Sequence, residues 1–156
     1  MLKIEIPGRR DINLEGIVFD LNGTLAVDGK PQAADLELLE LLAGKLRVYV
    51  LTADTFGTAA EVFRGLSVNL CRLKGQEVAS EKKKFIDSLG SLSHAAVGNG
   101  YNDHLMLHSA VLAVCVLGGE GAHPLTMANA DLVVSSTRAA LELFLNPRRL
   151  TAGLRR

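Results

Sequence analysis

Ile17-Val18-Phe19-Asp20-Leu21-Asn22-Gly23-Thr24 decides how the rest of the chain is read: three apolar residues, then a stretch carrying a carboxylate, an amide, a glycine and a hydroxyl. A short apolar run closed by polar, glycine-containing residues reads as a buried strand that ends at a loop. The pattern recurs at Leu46 to Leu51, Val68 to Leu73, His94 to Val97, Val111 to Leu117 and Leu132-Val133-Val134. Between these runs, Gln32 to Ala43, Thr55 to Leu66, Gln76 to Leu89, Asp103 to Ser109 and Ala122 to Ala128 carry helical periodicity. Alternation of this kind, with strands that are apolar throughout, predicts an α/β fold. Its core is a doubly wound parallel sheet with helices on both faces.

At the N-terminus Leu2, Ile4 and Ile6 alternate with Lys3, Glu5 and Pro7. That predicts a half-exposed strand passing through a turn at Gly8 into the first core strand, as an antiparallel edge or hairpin. Thr137 to Leu145 is helical in period, and Pro147 with Arg148, Arg149, Arg155 and Arg156 reads as a frayed basic end. A chain of 156 residues, 48% hydrophobic, with no repeat or low-complexity linker, is expected to form a single domain over 1–156.

Seventeen Lys+Arg balance seventeen Asp+Glu, so no net field draws the chain to nucleic acid or membrane. The apolar run from Val111 to Leu117 is far shorter than the ~18 residues a membrane span needs. A cytoplasmic protein with no membrane partner is the expectation. Aromatic residues make up 4% and Trp is absent, which leaves little with which to stack bases. Cys71 and Cys115 sit inside apolar runs and read as small hydrophobes.

In open α/β sheets ligands bind outside the carboxyl ends of the strands. Three such exits are polar or glycine-rich: Asp20 to Thr24, Thr52-Ala53-Asp54, and Gly98-Asn99-Gly100-Tyr101-Asn102-Asp103. Buried carboxylates at Asp20 and Asp103 would each need a compensating charge. A single Mg²⁺, a hard ion that keeps several waters, serves both, with the Asn22 backbone carbonyl and the Asn99 amide oxygen as further donors. Thr52 and the N–H of Ala53 suit phosphate oxygens. One of Lys82, Lys83 and Lys84 would complete the cradle, the other reading being a solvated charge run.

On these residues the chain resembles the haloacid dehalogenase superfamily of aspartate-nucleophile phosphohydrolases, and within it the phosphorylation domain of P-type ATPases without its membrane part. Asp20 to Thr24 matches Asp-x-x-Gly-Thr; Thr52 in Leu51-Thr52-Ala53-Asp54-Thr55 matches the second motif, with Thr58-Ala59-Ala60-Glu61-Val62 continuing in the P-type manner. Lys82 fits the motif lysine best by its spacing to Ile86 and Leu89, with Lys83 and Lys84 as alternatives, and Gly98 to Asp103 resembles Gly-Asp-Gly-x-Asn-Asp. The resemblance runs from about Ile17 to Ser135. It implies an Asp20 nucleophile forming an aspartyl phosphate, with Asn22, Thr52 and Lys82 at the catalytic centre. It also implies Thr24, Ala53 and Lys82 toward a phosphorylated substrate, and Mg²⁺ on Asp20, Asn22, Asn99 and Asp103.

The chain departs from the family at Asn22, where phosphatases of this kind carry an acid–base Asp; loss of such help typically costs ~10²–10⁴ in rate. A slow or ATPase-like enzyme is expected. Asn99 in place of the usual Asp removes a charge near the metal and predicts weaker Mg²⁺ binding. The stretches 24–31 and 73–81 have no room for a cap domain. The site should be open, which by resemblance suits large substrates or cover by a second copy in a homo-oligomer.

His104 and His108, four apart on one helix, have the spacing of a Zn²⁺ pair but lack a third ligand, and packing explains them; His94 and His123 carry no local motif. Asp54 reads as a cap for a helix at Thr55. Gly98 and Gly100 serve tight turns, and Gly118-Gly119-Glu120-Gly121 reads as a flexible turn, the other reading being a ligand contact. Beside the enzyme stands an alternative, a phosphate-binding or regulatory protein with little or no turnover. A receiver domain also uses Asp, Thr and Lys, but its acceptor should follow an earlier acidic pair, whereas Asp20 ends the first core strand.

Overall fold

The computed structural model describes residues 1–53 and 58–155. Its centre is a six-stranded sheet of β3 (Gly16–Asp20), β4 (Arg47–Thr52), β5 (Asn69–Arg72), β6 (His94–Gly98), β7 (Leu112–Val116) and β8 (Leu132–Val134), in the order β5-β4-β3-β6-β7-β8. Every neighbouring pair is parallel. The order reverses between β3 and β6, which makes the carboxyl end of β3 the topological switch point where such sheets open a crevice. Asp20 stands there.

Alternate residues of each strand face opposite layers. Ile17 and Phe19 of β3, Val48 and Val50 of β4 and Val97 of β6 join one core. On that face lie α1 (Ala33–Ala43), α2 (Thr58–Val62), α6 (Thr137–Leu145) and α7 (Pro147–Leu154). Val18, Leu51, Ala96 and Cys115 join the other, under α3 (Val78–Leu89) and α4 (His104–Ser109), with α5 (Pro124–Ala128) beside α4. Burial, with a smaller contribution from the Asp103 charge, pushes the Cys115 thiol up to about 11, as befits a packing residue.

The expected N-terminal antiparallel hairpin is present: β1 (Leu2–Ile4) pairs with β2 (Ile12–Leu14) as a separate two-stranded sheet. Two details at the termini are corrected. The turn at Gly8 leads into β2 rather than into the core, and Gly16 begins the core strand after it. The basic C-terminal stretch is not frayed. Pro147 opens α7, whose Leu150 and Leu154, four residues apart, are buried. Arg149 pairs with Glu142 at 2.8 Å and the Thr151 hydroxyl donates to the Glu5 carbonyl at 2.9 Å, tying α7 to α6 and to the hairpin segment. The helix foreseen from Thr55 is seen as α2 from Thr58; Asp54, Thr55 and Arg156 lie outside the described residues.

Among the described residues no helix is long and apolar enough to cross a membrane. Residues 24–31 form a small flap, with Val27 bridged to Lys30 across an Asp28-Gly29 turn in which both residues have positive φ. That is the signature of a tight hairpin turn.

Candidate active site

The carboxyl ends of β3, β4 and β6 meet at an open cleft of about 400 Å³ lined by Asp20, Asn22, Ala53, Lys82, Asn99 and Asn102, with Val78, Gly100, Tyr101 and Glu120 around them. Lys82 comes from the first turns of α3 and is 2% exposed. Its ammonium donates to Asp20 Oδ1 at 2.5 Å, Asp103 Oδ1 at 2.6 Å and Asn102 Oδ1 at 3.1 Å. Lys83 instead pairs with Asp87 on the helix surface and Lys84 is exposed. Geometry thus separates the three lysines that spacing had left open.

Asp103 is fully buried, and its second oxygen accepts the backbone N–H groups of Asn99 and Gly100 at 2.9 and 3.0 Å. Glycine at 98 is what admits it: a Cβ there would lie 2.5 Å from the Asp103 Cγ. Burial, then the Asp103 charge, push the Asp20 carboxyl up to about 7, against the pull of Lys82. Burial alone would lower the Lys82 pKa, but Asp20 and Asp103 together hold it above its ordinary value. Two carboxyl groups therefore share one cation at the buried floor of the cleft.

Thr24 lies beneath the cleft, 1% exposed, its hydroxyl 3.0 Å from Asn99 Oδ1 and 3.4 Å from Asp20 Oδ2. Asn99 Nδ2 in turn donates to the Gly121 carbonyl at 3.0 Å. Its side chain packs so tightly on Gly23, whose φ is +84°, that a Cβ there would meet it at 2.3 Å. Asn99 is thus a clip between the start of the flap and the loop after β7. A cation that used the Asn99 oxygen would have to share it with Thr24. Asn22 is exposed at the cleft, Ala53 lines it, and Thr52 ends β4 beside β3, 4% exposed.

Asn102 and Tyr101 carry no signal of their own beyond membership of the Gly98 to Asp103 stretch, and for Glu120 the structure favours the ligand-side reading of its glycine-rich turn. Glu120 in fact lines the cleft and accepts the Asp28 N–H at 2.9 Å, latching the flap tip. The helical histidines have other partners: His104 Nδ1 lies 2.6 Å from the Tyr101 carbonyl, and His108 Nδ1 lies 3.0 Å from Asn129 Oδ1. Among the described residues no three His, Cys, Asp or Glu side chains cluster as a metal site. Asp20 and Asp103 do converge on one positive charge through oxygen donors, and a pair of carboxylates with carbonyl, amide and water oxygens is the set a Mg²⁺ ion takes. The donor chemistry fits.

The described residues superpose on a structure from Legionella pneumophila described as a HAD superfamily (subfamily III A) hydrolase, with a TM-score of 0.71 and 18% identity, over 90% of this chain and 87% of that one. This is the haloacid dehalogenase fold. The same fold is shared with the cobalt-bound 3-deoxy-D-manno-octulosonate 8-phosphate phosphatase of Haemophilus influenzae (TM-score 0.72, 15% identity, 90% of this chain and 92% of that one). It is shared also with the Moraxella catarrhalis phosphatase in complex with magnesium, phosphate and the sugar acid (TM-score 0.66, 16% identity, 89% and 90%). No family model matches the chain.

Among curated sequences, an uncharacterized protein of Methanocaldococcus jannaschii is 48% identical over 60 residues, which are 38% of this chain and 64% of that protein. A second from the same organism is 46% identical over 39 residues, 25% of this chain and 89% of that protein, and the chain belongs to its family. The copper-transporting ATPase of Schizosaccharomyces pombe is 30% identical over 90 residues, 56% of this chain and 10% of the ATPase.

Proposed function

We propose that this haloacid dehalogenase-fold chain is a Mg²⁺-dependent phosphohydrolase, slow or ATPase-like, in which Asp20 is the nucleophile. The observation that carries the reading is the convergence of Asp20 and Asp103 on Lys82 at the switch point of the sheet, facing an open cleft. An Asp20 oxygen attacks phosphorus and forms a new P–O bond while the bond to the leaving oxygen breaks. Water then attacks the aspartyl phosphate, releasing phosphate and the free carboxylate. Asp20 and Asp103, with oxygens of Asn22 and Asn99 as further donors, would hold Mg²⁺, which would neutralise charge on the phosphoryl oxygens when bound.

The chain's own residues do the positioning. Lys82 supplies a fixed ammonium beside Asp20 and helps to keep it oriented. Thr52 and the Ala53 N–H offer donors to the phosphoryl oxygens from the end of β4. Thr24 holds Asn99 and leans on Asp20 from below. Asn22 occupies the place of an acid–base group and cannot move a proton, so leaving groups that depart without protonation, such as aryl, acyl or phosphoanhydride oxygens, react best. The metal and phosphate named for two proteins of the same fold support the assignment. Similarity to an ATPase over 90 residues supports its ATPase-like side.

Asn22 at the acid position and the engagement of the Asn99 oxygen by Thr24 favour one second reading, a phosphate-binding or regulatory protein with little turnover. Hydrolysis of an aryl phosphate with and without Mg²⁺, in wild type and Asp20→Asn, decides between them. Metal-dependent turnover lost in the variant is the expected result. A folded protein that binds Mg²⁺ but turns over nothing above background overturns the enzyme reading.

A further inference from the structure

Tyr101 is 58% exposed, yet it lines the same cleft as Asp20 and Lys82. Its surroundings there are largely polar or small: Asn22, Ala53, Asn99, Gly100 and Asn102. The other tyrosine, Tyr49, packs edge-on against Phe85 with ring centroids 5.6 Å apart, as an interior ring does. In a chain with 4% aromatic residues, Tyr101 sets a large planar ring at the mouth of this polar cleft.

The ring is also held in place. The His104 imidazole lies beside it, with centroids 4.8 Å apart and planes tilted by 41°, and the His123 imidazole meets it edge-on at 5.1 Å and 80°. Each imidazole is fixed in turn. His104 Nδ1 faces the Tyr101 carbonyl oxygen at 2.6 Å and so carries its proton there, while His123 Nδ1 accepts the Leu125 N–H at 3.2 Å. A ligand that stacks on a ring already ordered by its neighbours has less conformational entropy to remove.

The stretches 24–31 and 73–81 are too short to fold a cap over the cleft, so a leaving group meets its rim rather than a lid. Tyr101 and Val78 are the large apolar groups on that rim. We infer that Tyr101 is the specificity-determining residue for the leaving group, stacking on a planar ring, so that the cleft prefers phosphate esters of aromatic or heteroaromatic alcohols over those of alkyl alcohols. The inference rests on the phosphohydrolase reading for its substrate class. Its test is a binding one, so that the two can fail separately.

Binding of phenylphosphonate and of methylphosphonate, neither of which can lose its organic group as an alcohol, is compared by calorimetry in the presence of Mg²⁺. The wild type should bind the phenyl compound roughly 2- to 10-fold more tightly, the range expected for one aromatic pair. Tyr101→Ala should bring the ratio close to one, and Tyr101→Phe should keep it. A ratio unchanged in Tyr101→Ala, or near one in the wild type, or no binding of either compound, overturns the inference. Turnover of acetyl phosphate by the wild type, a substrate without a ring, tests the hydrolase reading separately. Turnover without ring preference leaves that reading and removes this one; ring preference without turnover removes the hydrolase reading and leaves Tyr101 as the ring-stacking residue of a phosphate-binding cleft.

Discussion

Asn99 shows how one side chain can answer two questions differently. By charge, replacing a carboxylate with an amide weakens a cation site. By geometry, the amide Nδ2 donates to the Gly121 carbonyl, which a carboxylate cannot do. Asn99→Asp should therefore bind Mg²⁺ more tightly while melting at a lower temperature in its absence, a pair of opposite shifts that calorimetry and thermal denaturation read independently. At Asn22, restoring a carboxylate with Asn22→Asp should raise turnover of alkyl phosphates by ~10²-fold or more and of aryl phosphates by less. Steady-state kinetics on the two ester classes check it, and equal effects would remove the acid–base explanation. Asp20 adds a pH dependence. Its carboxyl stands at about 7 against an ordinary value near 4. The folded chain thus holds the proton more tightly than the unfolded chain does, and the stabilisation is fully present below pH ~4 and lost as pH rises through 7. Metal-free wild type should lose thermal stability between pH 5 and pH 8, and Asp20→Asn should lack that component. The placement of Asp20, Thr52 and Asp103 at one end of the sheet was legible because each follows an apolar run that forms a central strand. The partners of Asn99, Tyr101 and Glu120 were not, because they come from loops brought together only by the crossovers.

The core strands and the helices between them were readable because each carries its burial in its period. Ile17, Val18 and Phe19 are wholly buried, whereas α3 buries Lys82 and Ile86, four residues apart, and leaves Lys84 to solvent. The terminal elements were harder for a physical reason. Ile12-Asn13-Leu14 is only three residues long, and a strand so short has too few alternations to separate it from a loop. In α7 the arginines and Gly153 mask a helix whose apolar content is little more than Leu150 and Leu154. Those two leucines are nevertheless core residues. Leu150→Ala should cost about 2–5 kcal/mol of stability, as a fully buried leucine does, where a frayed end would cost almost nothing. Urea denaturation distinguishes the two.

For the molecule as a whole, the alternation of elements pointed to a doubly wound sheet, but not to which strands would be neighbours. That follows once β3 lies at the centre with β4 on one side and β6 on the other, which brings residues 20, 52 and 103 to the carboxyl end of the sheet. There Lys82 is an internal cation shared by Asp20 and Asp103. Many small metal-binding domains whose ligands have no internal counter-ion are unfolded until the metal binds. This chain need not wait. Its far-ultraviolet circular dichroism should be the same in chelator as in Mg²⁺, whereas Lys82→Met, which leaves two adjoining buried carboxyl groups without their internal cation, should need the ion to reach the same spectrum. On the proposed function, order of assembly is thereby decoupled from ion supply: a newly made chain would complete its architecture first and become competent later, when a divalent ion came to share the carboxylates that a lysine has kept in place.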